Sequence, residues 1–258
     1  MIKDSLYFIY DGIKSEDQGL WNVNIDSGML EETFIANRSI EKIKSYNNKF
    51  YFKKINYEPI IILVSFAFKE EFTNSSLDEV KDWLCQSYYK PLQFSENLDR
   101  IYYAMITESS DIVHNGLNQG YLKLTFETNA YHGFSPVYQS PLYNLDNNTA
   151  DGTIIELINK GSKDLLLYPE ISLVKTIEDG DVSIINLTNG GLEFKFTGLK
   201  TNEDLYINNE EEIIITNLPN TYRYNDFNKN YLSCVKGINR LKILGKCQIQ
   251  LKYQYKLF

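Results

Sequence analysis

The chain is predicted to be mainly β, with a mixed β domain carrying one helix followed by an all-β sandwich. Three observations predict this. Twenty Tyr and fourteen Phe, set among many Ile, favour half-buried pleated surfaces, where aromatic and β-branched side chains pack well. Short runs of alternating apolar and polar residues recur, punctuated by Asn-Gly and Asp-Gly turn signals. A single stretch carries a helix-start signature followed by helical periodicity. At 258 residues, the chain exceeds the usual domain size of about 100–150 residues, which suits two domains.

Leu6 to Tyr10 stops at Asp11-Gly12, and Leu20 to Ile25 alternates, so two strands joined by a turn are expected. Thr33 to Ile35 and Ser39 to Lys44 lead to Tyr46-Asn47-Asn48-Lys49, a turn signal before Phe50-Tyr51-Phe52. A second hairpin is expected there. Ile60 to Phe68, the most apolar run of this half, predicts a central, well-buried strand. Ser76-Leu77-Asp78-Glu79 has the form of a capping box, predicting a helix over about 76–89. Leu77, Val80, Trp83 or Leu84, and Tyr88 would form its buried face. Strands return at Arg100 to Thr107 and Tyr121 to Thr128. From Ala130 to Gly152 periodicity fails and Pro136 and Pro141 intervene, predicting an arm or linker over 130–148 with the domain boundary near Asn148.

The second domain, 149–258, reads as successive strands: Thr153 to Asn159, Leu165 to Thr176, Val182 to Leu187, Leu192 to Thr197, Asp204 to Ile207, Glu211 to Thr216 and Leu241 to Tyr255. Short strands at this spacing are the pattern of a sandwich.

No chemistry is nominated by motif. The net charge of -8 and the lack of a dense basic run disfavour nucleic-acid recognition. Cys85, Cys234 and Cys247 have neither disulfide nor zinc spacing and are expected to be free, buried thiols. His114 and His132 lack metal-ligand spacing and are expected in ordinary surface or loop positions. No GxSxG, P-loop or GxGxxG occurs. The expectation is therefore no catalytic, cofactor-binding or metal residues, no cofactor and no enzyme. Glu210-Glu211-Glu212 reads as a solvated acidic turn. Tyr88-Tyr89, Tyr102-Tyr103 and Tyr253 with Tyr255 read as interior or interface packing rather than sugar-stacking platforms. The Leu6 to Ile9 run is too short for a signal or membrane segment, so residence in a cytoplasm until assembly is expected, with no membrane insertion.

The order of features resembles a known family, the distal tail (Dit) proteins of siphophages that infect Gram-positive bacteria. Phe8-Ile9-Tyr10-Asp11-Gly12-Ile13 followed by Gly19-Leu20-Trp21-Asn22-Val23 looks like the family's first hairpin. Val80 to Leu84, Pro91-Leu92-Gln93-Phe94 and Arg100-Ile101-Tyr102-Tyr103-Ala104 are similar to its helix, short strand and long strand. Gly237-Ile238-Asn239-Arg240-Leu241-Lys242-Ile243 through Gly245 to Gln250-Leu251-Lys252-Tyr253 resembles its closing strand pair. The sequence departs from the family at Tyr46 to Lys49, where a Gly-rich turn is common.

The resemblance implies an N-terminal split β-barrel-like domain, residues 1–148, that forms a ring, usually of six copies. It also implies a galectin-like or carbohydrate-binding-module-like sandwich. The ring would join the tail tube protein to the tail-associated hub protein of the baseplate, with the sandwich available to receptor-binding proteins. A structural virion protein at the tail tip, assembled in the host cytoplasm, is the expectation. The alternative is a carbohydrate-binding, lectin-like host-adsorption protein. Tyr131, Phe134, Tyr138 and Tyr143 of the 130–148 arm would be costly to leave in water, so the arm is expected to reach a neighbouring subunit.

Overall fold

The computed structural model describes residues 2–23, 35–107 and 110–258. The chain divides into two compact units, one running to Phe134 together with Phe258, the other spanning Ser135–Leu257. The expected strands at Leu20 to Ile25 and Thr33 to Ile35 lie partly outside the described residues.

The first unit contains β1 (Phe8–Tyr10), β2 (Ile13–Lys14), β3 (Leu20–Asn22), β4 (Arg38–Lys44), β5 (Phe50–Tyr57), β6 (Ile61–Phe68), α1 (Asn74–Leu84), β7 (Lys90–Phe94), β8 (Asn97–Ile106), β9 (Asp111–His114), β10 (Gly120–Thr128) and β11 (Gly133–Phe134). Its main sheet runs β2-β1-β7-β8-β10-β6-β3, with β9 added to β10 and β11 to β8. The sheet curls until its ends meet. Asn22 of β3 donates its N–H to the Leu6 carbonyl at 3.0 Å and its side-chain amide to the Lys3 carbonyl at 2.7 Å.

Three expectations need correction here. The first hairpin is β1 with β2, not β1 with β3. Asp11 and Gly12 both take positive φ, 51° and 80°, which closes a two-residue turn and returns the chain at Ile13. The strand at Leu20 instead pairs with β6. Helix α1 starts at Asn74, because Thr73 rather than Ser76 is the N-cap: Ser76 N–H donates to Thr73 Oγ1, and Thr73 N–H to Ser76 Oγ. It ends at Leu84, leaving Tyr88 70% exposed instead of buried. Strand β6 lies one place from the sheet end and alternates. Ile62, Val64 and Phe66 point inward, while Ile61 and Leu63 face out, because only one face of this sheet is covered.

The first core is aromatic. Phe8 is fully buried, stacked on Trp83 at 5.4 Å and edge-on to Phe66 at 4.7 Å and Phe126 at 6.0 Å. Trp83 donates its indole N–H to the Tyr10 carbonyl at 2.9 Å, fastening α1 to β1. Tyr10 donates its hydroxyl to the Ala104 carbonyl at 3.2 Å. Burial first, then Asp11 and Cys85, push that phenol up to about 12.

The second unit contains β12 (Tyr138–Gln139), β13 (Tyr143–Asn144), β14 (Thr153–Asn159), β15 (Glu170–Lys175), β16 (Gly180–Asn186), β17 (Glu193–Leu199), β18 (Asp204–Asn208), β19 (Ile213–Thr216), β20 (Gly237–Leu244) and β21 (Cys247–Tyr253). One sheet runs β12-β21-β15-β18-β19, with β13 also on β21; the other runs β14-β20-β16-β17. Alternate residues of both meet in one core that includes Ile171, Leu173, Ile184, Phe196, Leu241 and Ile249. The single strand expected over Leu241 to Tyr255 is the pair β20 and β21, broken by Gly245 at φ 95°.

The segment before Asn148 differs most from expectation. It pairs with β21 inside the second unit, Tyr138 opposite Tyr253 and Tyr143 opposite Ile249. Two Ser-Pro dipeptides hold it. Ser135 donates its N–H to the Tyr255 carbonyl and accepts the Tyr255 N–H on its hydroxyl; Ser140 makes the same two bonds to Leu251. Each serine thus exchanges two bonds with the facing residue, its hydroxyl taking the acceptor role that a carbonyl has in a regular rung, just before a proline that has no N–H to donate. The aromatic side chains find partners within the chain: Tyr138 against Tyr253 and Tyr255, Tyr131 against Tyr57, and Phe134 against Tyr103.

Buried polar groups pin the loops of the second unit. Asn239, fully buried, accepts from Asn186 Nδ2 and the Val235 N–H and donates to the Val235 carbonyl, which explains the Gly-x-Asn signature of β20. Glu203, also fully buried, receives Arg223 in a two-pronged pair at 2.7 and 2.6 Å, plus the Thr216 hydroxyl and the Lys200 N–H. Burial alone pushes the Glu203 carboxyl up, but Arg223 and these donors together hold it below the usual glutamate value.

Two outcomes are expected. Phe8→Ala should cost about 3–5 kcal/mol, while Leu6→Ala, 60% exposed, should cost within about 0.5 kcal/mol; denaturant unfolding of the full chain measures both, and equal losses would sink the assigned core. Because the folded pKa of Glu203 lies below its ordinary 4.5, its contribution is complete above pH 4.5 and lost as pH falls further. Glu203→Gln should therefore lower stability at pH 7 by roughly 3 kcal/mol and flatten the acid limb of a melting-temperature profile. An acid limb unchanged from the parent would count against the pair.

Candidate assembly interface

Chemistry-bearing side chains are scattered and mostly structural. Among the described residues, no group of three or more His, Cys, Asp or Glu is placed to hold a metal. Cys234 and Cys247 are buried and free, their thiols pushed up by burial to about 12 and about 11. Cys85, expected to be buried, is exposed, because α1 stops at the preceding residue. His132, expected in a surface or loop position, lies in the loop before β11 but is buried beside Tyr131 and Phe134; His114 is exposed at the end of β9. Glu210, Glu211 and Glu212 form a solvated turn between β18 and β19, with Asn208 Oδ1 accepting the N–H groups of Glu210 and Glu211. Of the Tyr clusters, Tyr102 and Tyr255 are buried, whereas Tyr88 is open.

The outer faces of the second unit are largely self-satisfied. On the β21-β15-β18 face, Glu170 accepts from Tyr206 at 2.9 Å and pairs with Lys252 at 3.1 Å, while Gln139 donates to Gln250 at 2.7 Å. A shallow hollow, no larger than a water molecule needs, is lined by Asn186, Asn189, Tyr231 and Ser233. The amide nitrogens of Asn186 and Asn189 are already committed to Ser233. The opposite sheet presents Ile154, Ile158 and Ile238, each about half exposed.

The most unusual surface is in the first unit. Strands β4 and β5 pair with each other and with no third strand among the described residues. Their turn closes as Ser45 and Lys49 bond, with Asn48 at φ 60°, a conformation asparagine tolerates and so a substitute for glycine there. The register shifts between Glu41 and Lys42, leaving Lys53 as an extra residue on β5. Pairing Ile40 with Ile55, Lys42 with Phe52 and Lys44 with Phe50 puts both phenylalanines on the Ile40 face. Phe50 and Phe52 remain 65% and 64% exposed, and Ile40, Ile43, Tyr46 and Tyr51 are exposed as well. The base is anchored by Tyr57 stacked on Tyr131 at 4.2 Å. A two-stranded ribbon is marginal alone in water, and so concentrated an apolar surface marks an interaction site.

The ribbon is also basic. Arg38, Lys42, Lys44, Lys49, Lys53 and Lys54 stand on it against one carboxylate, Glu41, which pairs with Lys53 and Lys54. Sequence scanning finds no basic run because the cations are interleaved with Ile, Phe and Tyr. Only strand pairing collects them.

The chain matches the family model for a phage tail protein N-terminal domain over residues 3–130 and that for a phage tail C-terminal domain over residues 139–253. It is 36% identical over 258 residues to the SPbeta prophage-derived protein YomH of Bacillus subtilis (strain 168), covering 99% of each chain. Among solved structures it is similar to the SPP1 Dit protein (gp 19.1), described as a paradigm of the hub adsorption apparatus in Gram-positive-infecting phages. The TM-score is 0.67 at 13% identity, covering 96% of this chain and 98% of that one. A chain of the phage P2 baseplate in its activated, Ca-bound conformation matches with TM-score 0.55 at 8% identity, covering 95% and 97%. Both family models, together spanning most of the chain, and a relative matched end to end show that this protein belongs to the phage tail protein family, with the fold of the Dit hub proteins.

Proposed function

We propose that this protein is a structural component of the distal phage tail. Six copies form a ring through the first unit, joining the tail tube protein to the tail-associated hub of the baseplate, and the sandwich is available to receptor-binding proteins. The observation that carries this reading is the exposed β4–β5 ribbon on a chain whose whole length follows the Dit fold. A ring needs two different surfaces on each copy that meet by a closing rotation, and an open apolar ribbon supplies one of them. The role is joining rather than catalysis. In keeping with that, the two buried thiols are held protonated by burial, a state unsuited to nucleophilic attack. The protein would reside in the virion tail tip after assembly in the host cytoplasm.

A lectin-like role gains little support, since the amides of the second unit's polar face and hollow bond within the protein. Light scattering of the full chain across a concentration series should give a discrete oligomer, with six copies as the expected stoichiometry. A strict monomer at high concentration that binds host wall polysaccharide would replace the hub reading with the lectin one.

A further inference from the structure

The ring reading leaves open what the ribbon meets, and charge supplies an answer. Arg38, Lys42, Lys44 and Lys49 are exposed and enter no ion pair among the described residues. This is unexpected on a chain whose net charge is -8. One group of exposed carboxylates in the same unit lies around α1. Val80, Trp83 and Leu84 bury the inner side of that helix, and the outer side carries Asp78, Glu79 and Asp82 at three- and four-residue spacing. Glu70 and Glu71 are exposed just before the helix. Lys81 engages Asp78 at 3.1 Å, but Glu70, Glu71, Glu79 and Asp82 enter no ion pair among the described residues. Tyr88, 70% exposed, follows the helix C-terminus, whereas Glu70 and Glu71 precede its N-terminus.

We infer that the β4–β5 ribbon of one copy seats on the carboxylate-bearing outer face of α1 in a second copy of this chain. The inference rests on the ring reading and names its contact. Four unpaired cations on the ribbon that carries Ile40, Phe50 and Phe52 face four unpaired carboxylates on and just before α1. The two surfaces are different parts of one unit, so the contact is head-to-tail, the type that closes into a ring. It also explains why a basic arm persists on an acidic protein: like-charged chains repel at long range, and a local opposite pairing orients the encounter and rejects wrong registers.

The test is a charge swap on the full chain, read by sedimentation velocity at about 0.1 M salt, where exposed charges still interact over about 10 Å. Lys42→Glu with Lys44→Glu should weaken self-association roughly tenfold or more, and Glu79→Lys with Asp82→Lys should do the same. Combining all four should restore assembly to within about threefold of the parent, because each reversed surface again meets its opposite. Raising salt to about 0.5 M should weaken the parent and the four-site swap alike. All four side chains are exposed, so thermal melting of the variants should match the parent. If ribbon reversal disrupts assembly but α1 reversal does not, the ribbon meets another surface and the pairing is overturned. Pairs that both weaken assembly without mutual rescue overturn it equally. A parent chain that stays monomeric defeats the ring reading itself, whereas an assembled parent with indifferent variants defeats only this contact.

Discussion

The seat of Trp83 between Phe8 and Tyr10 is the contact on which the first unit depends. Strand β1 is only three residues long and could not hold its place by ladder bonds alone. The indole supplies what the strand lacks, stacking on Phe8 and donating to the Tyr10 carbonyl, so one side chain joins α1 to the sheet. With β1 fixed, β7 and β8 follow by pairing, and the curl that brings Asn22 to Leu6 surrounds a core filled by aromatic rings. The same contact orients α1 so that Asp78, Glu79 and Asp82 face solvent.

The ribbon is the counterpart of that closed core. Its pairing partners are satisfied only within itself, and its aromatic side chains find no cover within the described first unit beyond the Tyr57 base. Such a surface would threaten the solubility of a monomer, and lysines interleaved with apolar residues are the usual safeguard on an open strand edge. The features that protect the free chain are therefore also those that can direct its assembly.

The second unit is stabilised in a different way. Its core is aliphatic with a Phe194, Phe196 and Phe227 cluster, and its loops are tied by buried Asn and Arg–Glu groups whose hydrogen bonds are made within the unit. The two Ser-Pro clamps extend β21 with a segment that has no strand periodicity, since each rung is only two residues long. Periodicity needs several residues to register, so Ala130 to Asn148 reads as an arm although it pairs with β21 at Tyr138–Gln139 and Tyr143–Asn144. The family signature at Gly237 to Asn239 is legible for the opposite reason: one buried amide there answers four backbone or side-chain groups, and few other residues can do that.

By itself the sequence determined the β class, the strands with clear alternation such as Thr153 to Asn159, the existence of one helix, and the hairpin that turns at Tyr46 to Lys49. These are local properties, set by side-chain periodicity and by turn residues that accept positive φ. Only the tertiary structure decided which strands pair, where the units divide, that β6 has an open face, that Cys85 is exposed, and that His132 is buried. Those outcomes depend on contacts between residues far apart in the chain, which no local pattern encodes. The ribbon surface belongs to the second group: its cations and aromatics are visible one by one, but the register shift at Glu41 and Lys42 is what sets Phe50 and Phe52 on the face of Ile40, Lys42 and Lys44.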